Sequence, residues 1–220
     1  GDGVRWLEAE LDGARVAFST RLGGASAPPF DSLNLGIRTD DDPAAVSENR
    51  HRLAVALGRR PERVVYALQV HGTRLIDHGA TADATGGSFA RRSASNGPRG
   101  GIAKADGHVV REPGLAPAVF AADCLPVALR GPDGLALAHA GWRGLAGGIV
   151  AAAAATVKAT EAAVGPGIGP CCYEVGDEVL AAFAGLGEGI AEVEMLDLAE
   201  VARRQLARAG VEDVQSAGLC

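Results

Sequence analysis

The stretch CLPVALRGPDGLALAHAGWRG, residues 124–144, decides how the chain is read. Leu125 to Leu129 and Leu135 to His139 are short apolar runs, and Pro132-Asp133-Gly134 between them is turn chemistry, because proline presets φ and glycine accepts a positive one. Two strands joined by a turn are the expectation. After the glycine-containing turn at 141–144 the pattern changes: Leu145 to Ala159 is alanine-rich and predicts a helix, and Ala162 to Gly165 predicts a return to strand. The residues alone thus imply a mixture of α and β.

Working outward, Val4 to Leu11 and Arg15 to Thr20 predict two strands around Asp12-Gly13, a dipeptide suited to a tight hairpin. Asp42-Pro43 is an N-cap followed by proline at the first helical position, and the helix should run through Val46, Arg50, Leu53 and Leu57 to a stop at Gly58. Val64 to Val70 is β-rich and ends at His71-Gly72; Gly107 to Val110 and Ala118 to Ala122 predict further short strands. Gly176 to Phe183 and Leu198 to Ala209 predict two more helices. Asp77 to Lys104 shifts to Gly, Ser, Ala, Thr and Arg, the composition of a long mobile loop.

The chain has 220 residues, with 21 Lys+Arg against 27 Asp+Glu and a net charge of −6, the opposite of the basic footprint expected of a nucleic-acid binder. A hydrophobic fraction of 47% suffices for a packed core in one domain spanning 1–220. The longest apolar run, Gly147 to Val157, is shorter than the roughly 18 residues a membrane span needs, so no membrane partner is expected. No protein partner is evident. Four cysteines, Cys124, Cys171, Cys172 and Cys220, two of them adjacent, make a poor disulfide framework and fit a reducing, cytoplasmic setting.

Three segments end predicted strands with a metal-ligating residue: QVHG at 69–72, AADCLP at 121–126 and AHAGWRG at 138–144. Two imidazoles and one thiolate, His71, His139 and Cys124, suit Zn2+, whose catalytic sites use three protein ligands and keep a fourth position open. The same residues also fit a buried cysteine beside two structurally satisfied histidines, or a Cys124 nucleophile with a histidine base. Arg50 could bind phosphate or ribose through its fork of donors, or face solvent. Arg143 precedes a helix whose amides favour anions, or caps its turn; Asn34 could meet substrate, or stabilise its loop. Adjacent Cys171 and Cys172 read as packing beside a glycine turn instead of as ligands of one ion.

Together with STRLGGASAPPFDSLNLG at 19–36, DDPAAVSENRHRLAVALG at 41–58, ADG at 105–107 and VGPGIGPCCYEVGDEV at 164–179, these strings resemble one family in the same order. It is the multicopper polyphenol oxidase (laccase-domain) family, also called peptidoglycan editing factor, and the match runs from about Ser19 to Gln205. The resemblance implies an α+β fold, a mixed-sheet sandwich with helices on the outer faces. It also implies a zinc-dependent purine nucleoside phosphorylase that deaminates adenosine and cleaves methylthioadenosine, with purine nucleosides and phosphate as partners. Its metal and catalytic triad falls on His71, Cys124 and His139. The alternatives are an amidase editing a cell-wall precursor and a copper polyphenol oxidase; five histidines are few for several coppers. The family usually continues beyond the position of Cys220 into a segment with paired arginines and glycines.

Overall fold

In the computed structural model, residues 3–36, 38–79, 87–88, 102–111 and 113–220 are described. The 124–144 stretch forms two antiparallel strands, β8 (Leu125–Gly131) and β9 (Gly134–Ala140), at the centre of a six-stranded sheet. The preceding strands are β1 (Trp6–Leu11), β2 (Ala14–Ser19), β3 (Val64–Tyr66), β4 (Leu75–Asp77), β5 (Gly87–Ser88), β6 (Gly107–Val110) and β7 (Ala116–Pro117). After β9 come β10 (Glu161–Val164), β11 (Ala191–Glu192), β12 (Met195–Leu196) and β13 (Asp213–Ser216). The large sheet runs β13-β10-β8-β9-β6-β4, antiparallel at its centre and parallel at both edges. β1 and β2 make a hairpin, β5-β3-β7 a small second sheet, and β11-β12 a short ribbon. The mixed α/β fold read from the sequence is the one observed.

Alternation along β8 and β9 builds both layers, because successive side chains of a strand face opposite sides. Leu125, Val127, Leu129, Ala136, Ala138 and Ala140 join a buried cluster with Ile149, Ala153, Val157, Val201 and Leu206. Those last five belong to α3 (Ile149–Val157) and α5 (Leu198–Arg208), so helices cover this face. Ala128 and Ala163, pointing the other way, pack with Leu11 and Val16 of the β1-β2 hairpin. A separate cluster joins α1 (Pro43–Ala56) to β3 through Leu53, Ala54, Val64 and Tyr66. The remaining α-helices among the described residues are α2 (Trp142–Ala146) and α4 (Asp177–Phe183). Among the described residues no helix is long and apolar enough to cross a membrane.

Boundaries carried by local chemistry fall where the sequence puts them. Asp42 caps α1, its side chain accepting from the Ala44 amide, with proline at the first turn. Three expected elements differ, the first being the strand predicted over 64–70, which stops at Tyr66. The single helix predicted over 145–159 is two, α2 and α3, interrupted where Gly148 adopts φ +86°, a left-handed conformation that ends one helix and caps the next. No strand forms over 118–122; that segment runs past β7 without a partner ladder, although the Ala118 amide still donates to the Val65 carbonyl. Most of the loop predicted over 77–104 lies outside the described residues, whereas Leu75–Asp77 pairs with β6 as an edge strand that the sequence reading missed.

On that edge His78 Nε2 lies 2.9 Å from His108 Nδ1, with the rings stacked at a centroid distance of 5.2 Å. Burial pushes the fully enclosed His108 down to about 3 and lowers His78, the latter against the pull of Asp77. A folded-state value below the unfolded one means that the unfolded chain takes up protons first. The stability this neutral pair contributes is therefore intact above about pH 6.5 and is lost as pH falls toward the folded values. Urea denaturation from pH 7 to 5, where carboxylates stay ionised, should show falling stability at up to about 1.4 kcal/mol per pH unit for each such group. His108→Leu should remove the largest share of that slope; an unchanged slope would mean that the pair is not what titrates.

Candidate metal centre

His139 is in β9, and Cys124 immediately precedes β8, in register with its end through the pairs Leu125 with Ala140 and Pro126 with His139. His71 lies in a bend beyond β3 at φ +59°. The three ligand atoms all lie within 4.8 Å of one another, and the imidazoles meet edge to face with centroids 4.9 Å apart. His139 is buried, Cys124 half-buried and His71 exposed, so the cluster opens to solvent on one side.

What brings the QVHG segment to the sheet is Asp106, a completely buried residue of the ADG string. Its Oδ1 accepts from the amides of Val70 at 3.1 Å and His71 at 2.8 Å, and its Oδ2 from Gly72 at 2.8 Å. Oδ1 also meets His139 Nδ1 at 3.0 Å, while the Asp106 carbonyl accepts from the His139 amide at 2.7 Å. A carboxylate only accepts, so Nδ1 carries the proton and Nε2 presents its lone pair to the cluster. Gln69 clamps the second segment: its Nε2 donates to the Phe120 carbonyl and its Oε1 accepts from the Phe120 amide, both at 2.7 Å. Cys124 is braced in turn by the Ile168 amide donating to the Asp123 carbonyl at 2.7 Å. Gly141 supplies clearance, since a Cβ there would come within 2.7 Å of Cys124 Sγ and 3.2 Å of the His71 ring.

Electrostatically two of the donors, Cys124 and His139, are held neutral. Burial, then the charges of Asp123 and Asp106, push the Cys124 thiol above its ordinary value. Burial lowers His139, opposed by its hydrogen bond to Asp106. A cation placed among these atoms would reverse the preference of the thiol, because a coordinated thiolate is deprotonated outright. Two imidazoles with fixed or free lone pairs and one thiol, already convergent, fit a tetrahedral Zn2+ with one position open.

The three expected substrate contacts part company. Arg50 is buried in α1: Nε and Nη2 donate to the Leu35 carbonyl at 3.0 and 2.5 Å, Nη1 to the Tyr66 hydroxyl at 3.3 Å, and the guanidinium lies over the Tyr66 and Phe120 rings. Asn34 is engaged within its own loop, donating to Thr39 and Asp41 and accepting from the Gly36 amide. The fork of Arg50 and the amide of Asn34 are thus used to hold backbone and loop. Arg143, exposed on α2 with its guanidinium 4.2 Å from the Trp142 ring centroid, is near the cluster: its charge and that of Cys124 both act on Tyr173. Tyr173, Asp106 and Gln69 were not singled out from the sequence, though each lies in or beside a quoted motif. Burial and the neighbouring Cys124 keep the Tyr173 phenol protonated beyond its usual range, against Arg143.

The sequence model of the family described as multi-copper polyphenol oxidoreductase laccase matches residues 15–220. The chain is 37% identical to a protein of Escherichia coli (strain K12) named purine nucleoside phosphorylase YfiH, an alignment covering 94% of this chain and 84% of that one. It is 39% identical to a purine nucleoside phosphorylase of Deinococcus radiodurans, covering 93% of this chain and 78% of the relative. The crystal structure of the Bacillus licheniformis hypothetical protein YfiH superposes with a TM-score of 0.82 at 29% identity, over 100% of this chain and 87% of that one.

Asp106→Asn should keep one acceptor but set an amide N–H against backbone N–H groups. Expected are a stability loss of about 2–3 kcal/mol in urea denaturation and a Zn2+ affinity about 10–100-fold lower by competition with a chelator. Unchanged stability would show that this carboxylate does not anchor the 70–72 turn.

Proposed function

Since the chain belongs to the multi-copper polyphenol oxidoreductase laccase family, we propose that it is a zinc-dependent purine nucleoside phosphorylase centred on His71, Cys124 and His139. In this reading it also deaminates adenosine and phosphorolyses methylthioadenosine. The observation that carries the reading is the convergence of two imidazoles and one thiol, with His139 oriented by a buried carboxylate, in a chain whose relatives bear that enzyme name. His71 Nδ1 or Nε2, Cys124 Sγ and His139 Nε2 would hold the Zn2+, which when bound supplies a Lewis-acidic positive charge at the open side of the cluster.

In phosphorolysis a phosphate oxygen forms a bond to the ribose anomeric carbon while the bond to the purine nitrogen breaks, its electron pair leaving with the base. Catalysis is then largely positioning and charge stabilisation. Arg143 is the residue proposed to bind phosphate, its exposed guanidinium being free to form the paired hydrogen bonds that phosphate oxygens favour. Tyr173 retains its phenolic proton and is proposed to hydrogen-bond the departing base. Asp106 fixes the tautomer of His139, and Gln69 holds the two approaching segments in register. Arg50 acts by holding the Leu35 carbonyl to α1 and Asn34 by its bonds to Asp41 and Gly36, and not by touching substrate.

Zinc is favoured over a copper array by the use of the histidines. His71 and His139 share the cluster, His78 and His108 meet each other, and His51 is exposed on α1.

Purine nucleosides assayed with and without phosphate should release base and ribose 1-phosphate only when phosphate is present. Amino-acid release from a muramyl-amino acid without base release would replace this reading by the amidase one. His139→Ala should abolish phosphorolysis and deamination together. Arg143→Ala should lower phosphorolysis roughly 10–100-fold, the value of one charge-assisted pair, while changing deamination far less. Equal losses in both reactions would remove the phosphate role from Arg143.

A further inference from the structure

A second group of donors converges within reach of the Asp123 charge. Cys171, Cys172 and Cys220 bring their Sγ atoms within 4.8 Å of one another, Cys172 lying 3.4 Å from each of the other two. All three are free thiols and all three are exposed, which overturns the packing role expected for the adjacent pair, since a cysteine used as a small hydrophobe is buried. The approach is built, not incidental to one loop. Cys220 is 48 residues from Cys172 in sequence and is tied down by the Gly169 amide donating to its Sγ at 3.3 Å. The backbone beside it is held too: the Gly167 amide donates to the Leu219 carbonyl, and the Ala217 amide to the Val164 carbonyl at the end of β10.

Three thiolates on one ion at about 2.3 Å stand about 3.8 Å apart, close to the 3.4 Å that separates Cys172 Sγ from each of its two neighbours and inside the 4.8 Å that bounds the whole trio. The set contains sulfur alone, with no imidazole or carboxylate, and soft thiolates select soft cations. We propose that Cys171, Cys172 and Cys220 form a second metal site, a three-sulfur seat for copper(I), separate from the His71, Cys124 and His139 cluster. Binding changes no oxidation state: three S–H bonds break, three Cu–S bonds form and three protons leave to solvent. The Gly169 amide lowers the Cys220 thiol, whereas contact with Cys220 and Cys171 pushes Cys172 up to about 12. An ion here ties residues 217–220 to the 166–172 loop, whose Ile168 amide braces the Asp123 carbonyl next to Cys124.

The test is an anaerobic titration of the fully reduced chain with copper(I) against a chromophoric copper(I) chelator. His139→Ala, which breaks the first cluster, should still retain one equivalent, and X-ray absorption of that complex should show a shell of sulfur without nitrogen. Cys172→Ser and Cys220→Ser should each lose that equivalent while their thermal unfolding matches the parent; Cys171→Ser provides a third, independent loss. Retention of copper in all three serine variants, a shell containing nitrogen, or displacement of the copper by an equal concentration of Zn2+ would overturn the proposal. So would a disulfide among the three that survives excess reductant. None of these outcomes depends on nucleoside turnover, so the assignment stands or falls apart from that reading.

Discussion

One buried carboxylate organises this end of the molecule. Asp106 sits at the start of β6 with both oxygens turned toward the 70–72 turn, and three successive amides point at it. An ionised group without solvent is costly unless its lone pairs are filled, so the chain must bring those donors or forfeit the fold of this region. The His71 backbone, at positive φ, is held in that conformation by the same contacts. With His139 Nδ1 as a further donor, one residue sets the position of one imidazole and the tautomer of the other.

The sheet supplies the second constraint. β8 and β9 are neighbours whose small residues, Ala136, Ala138 and Ala140, let α3 lie close against the sheet. The strand alternation that buries those alanines turns His139 to the opposite face, toward the turn held by Asp106. Cys124 reaches the same place because it sits at the start of the paired strand, next to the Asp123 bend at φ +78°. Two distant loops and one hairpin therefore meet at one point, each tied by a different hydrogen-bonded clamp.

The chemistry of that point follows from its burial. A thiol raised by burial and an imidazole lowered by it are both held neutral when no cation is near. In the exposed trio of sulfurs a different rule holds: Cys172 and Cys220 are set by mutual contact and by one backbone amide, with little desolvation. The two clusters differ in softness as well, one mixed in nitrogen and sulfur and the other sulfur alone.

Local features of the sequence already determined a good deal. The cap and proline at 42–43 define α1, the Pro132-Asp133-Gly134 turn defines β8 and β9, and the strings around His71, Cys124 and His139 mark both the family and the three donors. These are short-range signals, since a cap, a turn or a motif is complete within a few residues. Only the tertiary structure decided the rest. Arg50 and Asn34 carry donor groups suited to a substrate, yet packing gives those groups to Leu35, Thr39 and Asp41. Gly147-Gly148 splits a run that alanine content alone would join, and 118–122 finds no strand to pair with. The roles of Asp106 and the meeting of Cys220 with Cys171 and Cys172 depend on partners about 35 to 50 positions away in the chain, a distance over which neither periodicity nor composition carries information.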